Sequence, residues 1–450
     1  MKTSRLAKNL VIASHLIFGT TLAANASNYR ALNSTAVCVD EVKQQEQTDL
    51  MHVTNSAANI NLMFKSCPNS VELYLGNSAV KKKNLKGNAK RVGEYISILD
   101  PLSSDLTIVL EDLGDLENKA FSQALEQMQP AQFEALNVVN GNNAYLINSS
   151  FAGRLETLRD AARVNYYDDM NICSPASGWM TVIGDFLCQK KMGQLSAFDA
   201  NMYGVALGFD SMIYRDFVLG VAGAYTHTNL HWKSSRGKAE IESGYVGVYG
   251  GNYNEYFYVD GALAGFFNHY QVDRHIKLST IDRTATNSHK GIGFSPHLGV
   301  GFYQSWCDYL ATPFMSIDYT YVTQDKYTER KADGLNLRID RNTAQLFRLE
   351  GGLNIARGFD LSSGGYVEPS MSISYVGHKL ISGDSFTSAF QGFSQTFKVV
   401  GDDSWINQVA IGFALRVSPR DYLNLVLSYD ARLGSKRQEQ EVALEMSYRF

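Results

Sequence analysis

Val442-Ala443-Leu444-Glu445-Met446-Ser447-Tyr448-Arg449-Phe450 is the stretch on which the fold turns. Val442, Leu444, Met446, Tyr448 and Phe450 alternate with Ala443, Glu445, Ser447 and Arg449. A period of two with one purely apolar face describes a strand with oil on one side and water on the other. One such strand would suit a soluble sheet equally well. The same pattern recurs about a dozen times upstream, and that recurrence predicts a mainly β protein, a transmembrane antiparallel up-and-down β-barrel.

Working back from the end, twelve strands are expected at 179–187, 200–209, 217–228, 241–251, 257–270, 291–303, 310–323, 344–356, 366–376, 405–417, 422–431 and 442–450. Within each, one parity is nearly free of charge, as in Tyr203, Val205, Leu207 and Phe209, or Val409, Ile411, Phe413 and Leu415. The other parity carries Asp260, Asp318, Arg348, Glu350, Glu368, Arg416 and Glu445. A Lys or Arg at the bilayer midplane costs about 2–4 kcal/mol, so lipid demands such sorting. Connections after even-numbered strands are short, whereas 233–239, 273–290, 324–343, 377–404 and 432–441 read as longer polar loops. Short periplasmic turns alternating with long external loops are the pattern of bacterial outer-membrane barrels, and a soluble β-sandwich has no reason to follow it.

Composition agrees. Gly (37), Tyr (25) and Phe (23) are abundant, Pro (8) is scarce, and charged residues make up 19%. No stretch reaches the roughly 18 apolar residues of a membrane helix. Lys2, Arg5 and Lys8 followed by the apolar run 10–22 and Ala24-Asn25-Ala26 read as a secretory signal, residues 1–26. Its removal takes the net charge from −4 to −7 (38 basic against 45 acidic residues), with no basic tract that would suit nucleic acid. Five Cys in an exported chain allow pairing, with Cys38–Cys67 and Cys173–Cys307 as candidates.

Between signal and barrel lie two regions. Residues 27–116 are polar, with brief alternating runs at 71–75, 95–99 and 106–110 that read as short strands. Residues 117–177 lack that pattern: Leu125, Met128, Phe133, Leu136, Phe151, Leu155 and Leu158 fall at helical spacings. Pro130 suits the first turn of a helix, and Gly141-Asn142-Asn143 is expected to interrupt it. The 20 residues 144–163 would span about 30 Å as a helix. They are too polar to face lipid but suited to the inside of a pore. Small residues on the inward parity, such as Gly204, Ala206 and Gly208 or Ala410, Gly412 and Ala414, leave room for it.

Here the chain resembles the autotransporter (type V secretion) family. The stretch from Phe121-Ser-Gln-Ala-Leu through Pro130 to Arg154-Leu-Glu-Thr-Leu-Arg159 looks like that family's helical linker. Trp179, Asp185-Phe186 and Tyr203-Gly-Val-Ala-Leu-Gly-Phe-Asp210 resemble its first two barrel strands. The resemblance implies a twelve-stranded barrel, residues 178–450, with the 117–177 linker helix in its lumen and a short passenger, 27–116, at the cell surface. It implies partners too: outer-membrane lipid, the Sec export machinery through the signal peptide, and the barrel-assembly machinery through Tyr448 and Phe450. Some members cut their own linker between paired Asn residues; Asn142, Asn143 and Asn148 are the positions here, with Glu350 or Glu368 as helpers.

Catalytic motifs are wanting. There is no Gly-x-Ser-x-Gly elbow, His-Glu-x-x-His pair or phosphate-binding loop. His227 and His231 lie at a strand end, where i and i+4 do not converge. The expectation is a non-enzymatic chain without metal or cofactor, an anchor and exporter in the bacterial outer membrane. A porin-like channel with a periplasmic N-terminal domain is the competing reading.

Overall fold

Twelve strands wind into one closed antiparallel barrel, each paired with its sequence neighbour, and the last pairs with the first. In this computed structural model the described residues are 62–67, 70–75, 79–83, 85–99, 104–114, 116–164, 176–214, 216–362, 365–420 and 422–450. The signal segment 1–26, Cys38 and Cys173 lie outside them, and with them both candidate cysteine pairings.

The barrel strands are β1 (Ala176–Gln189), β2 (Phe198–Tyr214), β3 (Phe217–Trp232), β4 (Gly237–Tyr253), β5 (Phe257–Lys277), β6 (Asp282–Phe302), β7 (Tyr309–Gln324), β8 (Asn342–Ala356), β9 (Tyr366–Ser382), β10 (Ile406–Arg420), β11 (Leu423–Leu433) and β12 (Arg437–Arg449). The seam runs from Arg437 opposite Gln189 to Arg449 opposite Ser177, so the alternating tail closes the cylinder and leaves no edge. Its apolar residues Val442, Leu444, Met446 and Tyr448 are exposed outward. So are Tyr203, Leu207 and Phe209 on β2 and Val409 and Phe413 on β10. An apolar surface this extensive would aggregate in water; around a barrel it is the lipid-facing belt.

Several of the expected long loops are instead strand. β5 and β6 have 21 residues each and are joined by a four-residue turn, where the alternation had suggested a loop over 273–290. About 9–11 residues cross a bilayer, so both strands project well beyond it. Above the lipid neither face must be apolar, and the period-two signal fades although pairing continues. The same holds at 233–239 and 432–441. Two long connections remain. Their short strands Tyr327–Thr328, Leu337–Ile339, Ser385–Phe390 and Phe397–Val400 pair into a separate four-stranded sheet at the long-loop end of the barrel.

The region before the barrel departs further from expectation. Residues 70–75 do form a strand, central in a three-stranded sheet with 62–67 and 79–83. The runs at 95–99 and 106–110 are helical, not extended: α1 is Gly87–Ser97 and α2 is Ser104–Gly114. Leu106, Val109, Leu110 and Leu113 are buried while Ile108 is exposed, a three-and-four spacing that the shorter alternation Leu106, Ile108, Leu110 had masked. α3 (Asn118–Gln127) follows, and Pro130 leads into a single 3₁₀ turn, Ala131–Phe133. Then α4 runs unbroken from Glu134 to Val164, 31 residues or about 46 Å, passing through Gly141-Asn142-Asn143 without interruption.

Candidate functional site: a helix in the lumen and a cap at the mouth

α4 lies inside the barrel with its N-terminus at the long-loop end and its C-terminus at the short-turn end. Below Glu134 its upper half carries polar but uncharged side chains. Asn137 Nδ2 donates to Asn342 Oδ1 (2.8 Å) and to the Gly383 carbonyl, and its Oδ1 accepts from Gln324. Asn140 Nδ2 donates to Tyr270 OH (2.7 Å), Asn143 to Thr228 Oγ1 (2.9 Å) and Asn148 to Ser295 Oγ (3.0 Å). These bonds explain the missing helix break. Gly and Asn are poor helix formers by up to about 1 kcal/mol each, but each of these buried Asn side chains gains a hydrogen-bond partner on the wall. Gly141 has its own reason: a Cβ there would lie 2.7 Å from Leu346 Cδ2.

At mid-depth the packing is aromatic. Phe151 stacks on Tyr249 (5.3 Å between centroids) and meets the edge of Trp179. Trp179 Nε1 donates to Tyr249 OH. The small inward residues make room for these rings: a Cβ on Gly247 would reach Phe151 at 2.7 Å, on Gly208 Trp179 at 2.8 Å, and on Gly220 Tyr249 at 2.3 Å. One such glycine admits a helix side chain, and the other two admit aromatics of the wall itself. Between this layer and the mouth, Tyr145 is held between the guanidiniums of Arg348 (3.4 Å) and Arg432 (5.1 Å).

The lower third is ionic. Arg154 pairs with Asp210, Arg159 with Asp260 and Asp160 with Arg416 (2.6 Å). The helix is thus fastened to the wall from Asn137 to Asp160.

Above the mouth, α1–α3 dock on the loop sheet. Asp105 takes Arg283 at two points, 2.7 Å each, and the Gly334 amide. The Arg283 guanidinium holds its carboxyl below the usual range. Asn88 grips Val400 through both its carbonyl and its amide. The Tyr95 ring packs on Phe397 and Phe390, its hydroxyl donates to the Gln395 carbonyl, and burial raises its pKa. Arg274, fully buried, joins Glu329 to the Gln127 carbonyl of α3. One apolar core therefore runs from α1–α3 through the loop sheet to the projecting strand ends. At the junction Glu134 accepts the Asp402 amide (2.9 Å); burial, opposed by that bond and reinforced by Asp384, Asp402 and Asp403, pushes its carboxyl up to about 9.

The residues singled out from sequence are scattered along this assembly. Asn142, Asn143 and Asn148 reach four different wall strands. Asn142 Nδ2 donates to Asp185 Oδ2 (2.8 Å) and its carbonyl accepts from Arg437. Glu350 is engaged by Arg348 and Ser374, and Glu368 by Arg416 and Tyr366, so Asp185 and not either Glu is the carboxylate beside the Asn pair. Tyr448 packs between Tyr422 and Phe450, whose amide donates to the Ala176 carbonyl across the seam. His227 meets Asn229 on its own strand. The cap contacts of Asp105, Asn88 and Tyr95 were not visible in sequence, because no local pattern records a partner some 180 to 300 residues away.

Comparison with known proteins gives a consistent picture. The autotransporter β-domain family model matches residues 178–430. Two curated relatives, the esterases EstA of Pseudomonas aeruginosa and Pseudomonas putida, are each 24% identical over 309 residues, 66% of this chain and 47% of theirs. The chain thus spans about half the length of the curated relatives it matches. Among solved structures, the translocator domain of NalP from Neisseria meningitidis has a TM-score of 0.49 at 12% identity, covering 67% of this chain and 98% of that one. The β-domain of Bordetella BrkA has a TM-score of 0.48 at 19% identity, covering 61% and 100%.

Proposed function

This chain belongs to the autotransporter family, and from that membership we propose a division of labour among its parts. The barrel is an outer-membrane autotransporter β-domain and anchors the chain in lipid. α4 is the trailing end of the exported polypeptide, left in the lumen as a stopper. The residues before it, from the end of the signal through the cap to Phe133, stand at the cell surface. They stay attached there and are not shed. One observation carries this reading: α4 passes without a break from the long-loop end to the short-turn end, and the chain preceding it is docked on the long loops.

Export begins with the Sec machinery acting on residues 1–26, and Tyr448 and Phe450 present the barrel to its assembly machinery. The docked cap favours a linker left whole over one cut at Asn142–Asn143, since Asn142 Nδ2, the atom that would attack, is held by Asp185. We read the exported part as a structural element and not as a hydrolase. Ester hydrolysis by intact expressing cells, set against cells lacking the protein, tests that point, because two relatives are esterases.

Protease treatment of intact cells tests the central claim. Tags placed before Leu85 should be lost while the barrel survives, and mass spectrometry should find one chain spanning cap and barrel. Full protection of the tags would place the N-terminal region in the periplasm and favour the channel reading.

A further inference from the structure

The wall of the lumen is not electrically balanced. Near the mouth Asp185, Asp430, Glu439 and Glu441 face Arg432 and Arg437. At mid-depth Asp318 and Glu350 face Arg348. Toward the turns Asp210, Asp260, Glu368 and Glu445 face Arg416. With Arg449, on the inward parity of β12 and in register with Ser177 and Asp210, ten carboxylates thus oppose five guanidiniums among the described residues, and every level is acidic. The inward imidazoles His289, bonded to Gln324, His297, bonded to Asp318, and His378 bring the cations to eight at most. The described side chains of α4 add Arg154 and Arg159 but also Glu134, Glu156 and Asp160, so the stopper leaves the excess in place.

Buried polar atoms without a hydrogen-bond partner occur on groups of both signs, Asp185 Oδ1 and Asp260 Oδ1 among the carboxylates and Arg348 Nε and Arg416 Nε among the guanidiniums, so the excess of carboxylates sets the sign of the field. Low-dielectric walls of one sign focus the field along a channel, and rings of Asp and Glu are what select cations in pores.

We infer that this lumen is a cation-selective conduit for small ions, admitting K⁺ and rejecting Cl⁻, with α4 as the part that closes it. The inference rests on the reading of α4 as the trailing end of the exported chain. The test uses the full-length chain with residues 134–164 replaced by a Gly/Ser stretch of equal length, in planar bilayers under a KCl gradient. The unmodified chain should carry almost no current. The replaced one should conduct with a K⁺:Cl⁻ permeability ratio of about 5 or more, and adding Asp185→Asn/Asp430→Asn should lower that ratio at least about twofold. A ratio at or below one, or no current from a folded barrel, overturns the inference. Should the replacement lose the heat-modifiable mobility of a folded barrel, Arg154→Ala/Arg159→Ala in the otherwise intact chain takes its place under the same criteria. A periplasmic N-terminus in the protease experiment would sink the proposed function and leave the permeability ratio untouched, so the two failures are distinguishable.

Discussion

Arg154 on the lumen helix and Asp210 on the second barrel strand meet at two points, Nε to Oδ2 at 2.8 Å and Nη2 to Oδ1 at 3.0 Å, with neither side chain more than 2% exposed. Asp210 also accepts Ser177 Oγ and Tyr249 OH, so its charge is fully coordinated where the helix passes the first strands. Removing the guanidinium leaves a buried carboxylate with only neutral donors. Arg154→Ala should destabilise the folded barrel by about 3–5 kcal/mol, read as a lowered midpoint in denaturant titration of detergent-solubilised protein. Arg154→Lys should recover only part of that, because an ammonium cannot reproduce the fork.

Gly247 and Phe151 are similarly matched, by shape. A Cβ at Gly247 would sit 2.7 Å from the Phe151 ring and 3.2 Å from the Leu263 carbonyl. Gly247→Ala should cost about 1–3 kcal/mol through overpacking. In Gly247→Ala/Phe151→Ala the two effects should be clearly less than additive, and simple additivity would show that the ring is not what the glycine accommodates.

Glu134 gives the cap a pH dependence. Its folded pKa, about 9, lies above the unfolded carboxyl value, so its contribution is fully present below the unfolded value near 4.5 and is lost as pH rises through 9. Protease sensitivity of residues 85–133 should therefore increase from pH 5 to pH 9 in the native chain. Glu134→Gln, which cannot ionise, should show a flat profile.

Asp105 works in the opposite direction. Arg283 depresses its folded pKa, so its contribution is present above the unfolded value and lost as pH falls through the folded one. Arg283→Ala should weaken cap docking by about 1 kcal/mol, as expected for a partly exposed two-point pair. Hydrogen exchange of α2 amides at neutral pH reads that loss, and the difference from the native chain should shrink under acid conditions.

Phe450 packs on Tyr448 at the seam and is otherwise exposed. Deleting it should lower the amount of folded barrel in outer-membrane fractions while leaving total synthesis unchanged. Undiminished outer-membrane levels would remove it from the assembly signal.

How far the sequence reaches depends on which environment each residue must satisfy. Lipid imposes one rule on every strand that crosses it, and Leu207, Phe209, Val409 and Phe413 obey it so consistently that strand number, inward parity and the closing role of the tail could be read directly. Above the bilayer that rule lapses. The extensions of β5 and β6 consequently looked like loop, and Leu106–Leu110 looked like strand although its partners at Val109 and Leu113 make it a helix.

Alternation and charge sorting along one strand at a time were sufficient to determine a twelve-stranded membrane cylinder with a polar helix inside. The continuity of α4 through Gly141-Asn142-Asn143, the pairing of Asn142 with Asp185 and the docking of Asp105 on Arg283 were decided only by tertiary structure. Each depends on a partner distant in the chain, and local propensity cannot weigh a hydrogen bond or ion pair whose other half arrives with the closing of the barrel.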